Sequence, residues 1–91
     1  MNNDEKQKLN EKLADCLNIP FKYYTDSLDA CFKWLVPKVR VTHHIHFHSY
    51  DGKVDWRVVL SNANDTIYGR NNEPALALCL AIEKLIDAEG K

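Results

Sequence analysis

Val41-Thr-His-His-Ile-His-Phe-His-Ser-Tyr-Asp-Gly-Lys-Val-Asp-Trp-Arg-Val-Val-Leu60 reads as two antiparallel strands turning on Asp51-Gly52. That pair suits the two positive-φ positions of a type I′ turn. With it at the centre, Tyr50 faces Lys53 and the register runs outward from there. Phe47 then lies opposite Trp56, Ile45 opposite Val58 and His43 opposite Leu60 on one face. The other face pairs His48 with Asp55, His46 with Arg57, His44 with Val59 and Thr42 with Ser61. One face is almost wholly apolar and the other almost wholly polar, so the apolar one must meet a core.

The flanks supply that core. Before the hairpin, Leu9, Leu13, Cys16 and Leu17 mark an amphipathic helix from about Asp4 to Leu17, capped by Asn2 or Asn3. Its stripe is narrow, which predicts a surface helix ended by Asn18-Ile19-Pro20. Thr25 and Asp26 are suitable caps for a second helix from Ser27 to about Val36, burying Leu28, Cys31, Phe32 and Leu35. Pro37 should stop it. After the hairpin, the turn cluster 61–65 leads to a short strand, Thr66-Ile-Tyr68, ended by Gly69. Asn72 caps a last helix from Glu73 to about Ala88, stopped by Gly90. Its run Ala75-Leu-Ala-Leu-Cys-Leu-Ala-Ile82 has no polar break, so it must be buried on more than one side. The expected architecture is a single α+β domain over 1–91. It has two N-terminal helices, a three-stranded antiparallel sheet (hairpin 41–60 plus strand 66–68) and a long C-terminal helix packed on one sheet face.

Composition narrows the class. The chain has 91 residues, 45% of them apolar, and a formal charge of −1, with both signs scattered along it. That charge pattern offers no footprint for nucleic acid and no polybasic membrane patch. No apolar run approaches the roughly 20 residues that span a bilayer. The N-terminus is charged and lacks the apolar stretch of a secretory signal, so a cytoplasmic location is expected. The three cysteines, Cys16, Cys31 and Cys79, form no C-x-x-C pair. They read as small buried hydrophobes in a reducing compartment rather than as a disulfide framework.

Three stretches carry a family resemblance. Leu9-Asn-Glu-Lys-Leu-Ala-Asp-Cys-Leu17 stands as an opening helix, and Thr25-Asp-Ser-Leu-Asp-Ala-Cys-Phe-Lys-Trp34 as a second helix led by Thr-Asp-Ser and carrying a Trp. Trp56-Arg-Val-Val-Leu60 and Pro74-Ala-Leu-Ala-Leu-Cys-Leu-Ala-Ile82 stand as a closing strand and an Ala/Cys-rich helix. Together these resemble the phage ABA sandwich domain. The chain departs from that pattern in a shorter segment between the first two helices, without the family's Trp/Gly-rich stretch, and in Pro37. The resemblance implies a phage or prophage origin. The family has no established activity, so no residue role comes with it.

Candidate chemistry centres on His44, His46 and His48, which alternate along one strand and project from one face about 6–7 Å apart. His-x-His on a strand is a zinc geometry in some enzymes if a third ligand completes it, and Asp55 could supply a carboxylate. Arg57 on the same face would repel a cation. A polar strand facing solvent or a protein partner is the competing expectation, and an anion site formed with Arg57 a further one. His43 should point inward as a hydrogen-bonded core residue. Tyr24, Trp34 and Tyr68 are the aromatics expected to be only partly buried, as a rim or self-association patch. The order of elements from Ser27 onward matches a double-stranded-RNA-binding domain. That module needs lysines at the start of its last helix, and positions 71–82 contain neither Lys nor Arg. No nucleophile elbow, P-loop, dinucleotide fingerprint or zinc-finger spacing occurs. The expectation is therefore a non-enzymatic phage protein without a cofactor. It would bind a host or defence-related protein through His44, His46, His48, Asp55 and Arg57, and not nucleic acid or membrane. A zinc protein built on the same histidines and a structural homo-oligomer are the alternatives.

Overall fold

In the computed structural model, which describes residues 2–50 and 55–89, the chain opens with helix α1, Asn3–Leu17. Asn2 caps it reciprocally: its Oδ1 accepts from the Glu5 amide at 2.8 Å, and the Glu5 carboxylate accepts from the Asn2 amide at 3.2 Å. Asn18 ends it in the left-handed conformation, φ 57°. This helix is seated more firmly than its narrow stripe suggests. Leu9 and Leu13 are buried, and so, completely, is Asn10. The Asn10 carboxamide accepts from the Thr25 amide at 3.1 Å and donates to the Thr25 hydroxyl at 3.2 Å. It thereby pins a 3₁₀ turn at Tyr24–Asp26. Tyr24 is fully buried rather than at a rim, with its hydroxyl donating to the Pro20 carbonyl.

Helix α2 is continuous through three segments: α-turns at Leu28–Ala30, a π-turn at Cys31–Leu35 and a last α-turn at Val36–Val39. Ser27, not Thr25 or Asp26, is the cap, its hydroxyl accepting from the Ala30 amide at 3.1 Å. Nor does the helix stop at Pro37. A proline ring in a helix crowds the carbonyl four residues back and donates no hydrogen bond. Here the Val36 amide reaches back five residues to the Cys31 carbonyl, and the wider turn ahead of Pro37 relieves that crowding. The chain regains α geometry, the Arg40 amide bonding the Val36 carbonyl at 2.9 Å.

The sheet is a three-stranded antiparallel meander in the order β1-β2-β3, made of β1 (His44–Tyr50), β2 (Asp55–Ser61) and β3 (Thr66–Asn71). The expected register is displaced by two residues. Phe47 pairs with Val58, Ile45 with Leu60 and Tyr50 with Asp55. A two-residue slip returns every side chain to its original face, so the alternating pattern cannot distinguish the two alignments. The turn expected at Asp51-Gly52 and the stop expected at Gly90 lie outside the described residues. β1 begins later than expected, because the Thr42 and His43 amides turn back on the Val39 carbonyl. β3 runs past Gly69 to Asn71.

Helix α3, Pro74–Glu89, packs across β2 and β3. Pro74 takes the first helical position, where its missing donor costs nothing. Asn71, rather than Asn72, accepts from the Glu73 amide at 3.1 Å. The helix buries every residue from Ala75 to Cys79, then Ala81, Ile82 and Leu85, against Val58, Leu60 and α1. On its far side Lys12 of α1 reaches Glu83 and Asp87 at 3.2 and 2.7 Å. The α+β architecture is thus as expected, with the long C-terminal helix on one sheet face. Cys31 and Cys79 are buried within it, while Cys16 is exposed, against the expectation of three buried thiols.

Gly69 sets how closely α3 lies on the sheet. A Cβ at that position would overlap the Ala77 carbonyl oxygen and the Ala81 amide nitrogen. Both atoms are backbone, so the helix itself would have to move. Gly69→Ala is therefore expected to lose about 2 kcal/mol or more in denaturant unfolding. Adding Ala81→Gly should not restore it, and a rescue would contradict backbone-limited packing. Asn10→Ala should cost about 1–3 kcal/mol in the same measurement, because it strands the buried Thr25 amide. Thr25→Ala should cost less, since it removes only one of the two bonds.

Candidate functional site

The face of the sheet away from α3 carries three parallel rows of side chains. On β1 are His44, His46 and His48, all exposed; on β2 are Asp55, Arg57, Val59 and Ser61; on β3 are Thr66, Tyr68 and Arg70. The alternation that drives Ile45, Phe47, Val58 and Leu60 into the core turns these outward. The five expected site residues therefore do share one face. Their neighbours differ from expectation because of the register. His48 lies opposite Arg57 rather than Asp55, His46 opposite Val59 rather than Arg57, and His44 opposite Ser61 rather than Val59. The His46 and His48 rings stack with centroids 6.3 Å apart and planes 28° apart.

Asp55 is committed elsewhere. Arg70, diagonally across the β2–β3 ladder, grips its carboxylate with Nε at 3.0 and 2.9 Å from the two oxygens and with Nη2 on Oδ2. That bidentate contact holds the Asp55 carboxyl below the usual carboxylate range. Among the described residues no three His, Cys, Asp or Glu side chains are grouped to hold a metal ion. The zinc arrangement weighed as an alternative, the histidines with Asp55, is not assembled among the described residues. Instead the face carries a cation–aromatic cluster: the Arg57 guanidinium lies 4.9 Å from the Tyr68 ring centroid, and Lys84 of α3 lies 5.0 Å from the same ring. Arg70 escapes a sequence reading that ends β3 at Gly69. The alternation of Thr66, Tyr68 and Arg70 across that glycine is the signal that could have found it.

A second polar cluster sits at the β1 entrance, beside a cavity of about 370 Å³ lined in part by Arg40, Thr42, His43 and Asn62. His43 is buried and hydrogen-bonded, as expected, though it precedes the strand rather than pairing with Leu60. The Asn62 Oδ1 accepts from the Asn64 and Asp65 amides, both at 2.8 Å, which turns its NH₂ toward the His43 Nε2 at 3.2 Å. Nε2 is then an acceptor, the ring hydrogen resides on Nδ1, and Nδ1 donates to the Thr42 hydroxyl at 2.7 Å. A hydroxyl that receives the imidazole hydrogen is not activated as a nucleophile by that ring. This cluster closes a turn. The Cys79 thiol is equally quiet: a hydrogen bond with Cys31, together with burial, pushes it far above its usual value.

The open face thus offers hydrogen-bonding imidazoles, two guanidinium groups and an exposed phenol ring on a rigid sheet. That is recognition chemistry. No family model, curated protein or solved structure matches this chain. The Asp55–Arg70 contact can be tested directly. A carboxyl lowered by folding stabilises the fold above its unfolded pKa, and that contribution is lost as pH falls through the folded value. In an NMR titration the Asp55 carboxyl should titrate below the usual aspartate range, and Arg70→Gln should return it upward. An Asp55 that titrates identically in both proteins would exclude the pairing.

Proposed function

We propose that this chain is a non-enzymatic accessory protein of phage origin that works in the bacterial cytoplasm by binding a host or defence-related protein through the open face of its sheet. The observation that carries this reading is the asymmetry of the sheet. One face holds the core with α3, while the other presents His44, His46, His48, Tyr68 and Arg70 to solvent, with Arg57 among them. An antiparallel sheet can leave one face wet without needing a partner. What favours recognition is the kind of residue displayed. Tyr and Arg are enriched where interface energy concentrates. The phage assignment comes from the resemblance of the helices and the Pro-Ala-Leu-Ala-Leu-Cys run to the phage ABA sandwich domain. Short phage-encoded chains commonly modulate host or defence proteins, and that step is an analogy.

The test is capture from host lysate with the natural chain, followed by mass spectrometry. A single protein should be retained in stoichiometric amount. It should be lost with His44, His46 and His48 replaced by Ser, and lost again with Arg57→Ser/Tyr68→Ser. Retention by both variants would place the contact elsewhere. A stable homo-oligomer in sedimentation at micromolar concentration, broken by the same substitutions, would replace the reading with self-assembly.

A further inference from the structure

Between the second half of α2 and the outer edge of β1 runs a groove of about 270 Å³ whose lining includes Phe32, Val36, Arg40, Ile45, His46 and Phe47. Ile45 and Phe47 belong to the inward face of β1 and His46 to the outward face, so the groove opens along the strand's edge. β1 pairs with β2 alone, and its other edge has no strand partner among the described residues. Edge strands are usually protected by Lys, Pro, an acidic residue or a covering element. His44–Tyr50 contains none of those residues, and α2 meets it chiefly through its last turn. The floor is apolar and open: Phe32 is 49% exposed, with its ring 5.7 Å from that of Phe47.

Charge distinguishes this side further. From Ala30 to Tyr50 the chain has no Asp or Glu, although it has 13 acidic residues in all. The same stretch carries Lys33, Lys38, Arg40 and all four histidines. Lys33, Lys38 and Arg40 are exposed. Among the described residues none of the three is in an ion pair, whereas Lys6, Lys12 and Arg70 all are.

We infer that this groove accepts an extended acidic segment of another protein as a fourth strand on β1. Backbone groups of the segment would pair along the edge of β1 that no described strand takes. Alternate aliphatic side chains would seat on Phe32, Val36 and Phe47, and the intervening carboxylates would meet Arg40, with His44 and His46 beside it as hydrogen-bond donors. A second copy of β1 fits poorly, because that strand carries no carboxylate to answer Arg40. Nucleic acid would answer the charge but not the row of amides and carbonyls along the edge. The site is separate from the open sheet face, with which it shares only His44 and His46, and does not depend on it.

The test uses a fluorescent peptide alternating Val and Glu, read by polarisation and by amide shifts of the ¹⁵N-labelled protein. Saturable binding with shifts confined to 32–40 and 44–49 is expected. Replacing Glu by Lys in the peptide, or methylating alternate backbone nitrogens, should each weaken it about tenfold or more. Phe32→Glu and Arg40→Glu should each lower affinity about tenfold without changing thermal unfolding, since both side chains are exposed. Arg57→Ser/Tyr68→Ser, which disables the open face, should leave peptide binding unchanged. The inference fails if the peptide does not saturate, if polyglutamate or an RNA oligonucleotide binds as tightly, or if the shifts map to β2 and β3. It fails equally if sedimentation shows that β1 is already paired with a second copy.

Discussion

The contact between Gly69 and the backbone of α3 is the constraint on which the rest of the molecule depends. A strand residue without a Cβ lets a helix come down until its own main chain, at Ala77 and Ala81, touches the sheet. At that separation Val58 and Leu60 of β2 are completely enclosed. The helix, unbroken in its apolar character from Ala75 to Ile82, has one face for the sheet and another for α1. Once that side of the sheet is taken, the alternation of the strands leaves the histidine rows outside with no further choice.

Coverage of the inner face is uneven, and the unevenness has a local cause. α3 lies over β2 and β3, so β1 must be covered by α2, which is bent through a π-turn ahead of Pro37. The resulting contact between α2 and β1 is slight compared with that of α3. It leaves Phe32 half exposed, with its ring beside that of the partly buried Phe47. The core is therefore dense along one edge of the sheet and grooved along the other. The cationic stretch of the chain happens to form both walls of the groove.

Polar side chains do the positioning where apolar packing has no directional preference. Asn10 ties α1 to the turn at Thr25 from inside the core, where its two amide functions are both satisfied. Asn62 orients His43 and closes the β2–β3 connection at once. Arg70 draws Asp55 across the ladder and away from the histidines, which gives the open face its character: imidazole and guanidinium rather than a carboxylate–imidazole set. The first of these could be mistaken for a solvent-facing residue of an amphipathic helix, and the last lies beyond the expected end of its strand.

Local pattern alone determined much of this protein: the α+β class, the order of helices and strands, the inward and outward sets of the hairpin, and the inward, hydrogen-bonded His43. Each follows from periodicity or cap chemistry, which act within a few residues. What only the tertiary structure decided were quantities that such patterns repeat or ignore. The hairpin register is one, because a strand pattern of period two is unchanged by a slip of two. The passage of α2 through Pro37 is another, because a wider helical turn is chosen by what surrounds it. The burial of Tyr24 and Asn10, the exposure of Cys16 and the grip of Arg70 on Asp55 belong to the same class. They depend on which distant surfaces meet, and that was settled by how closely one helix could approach one glycine.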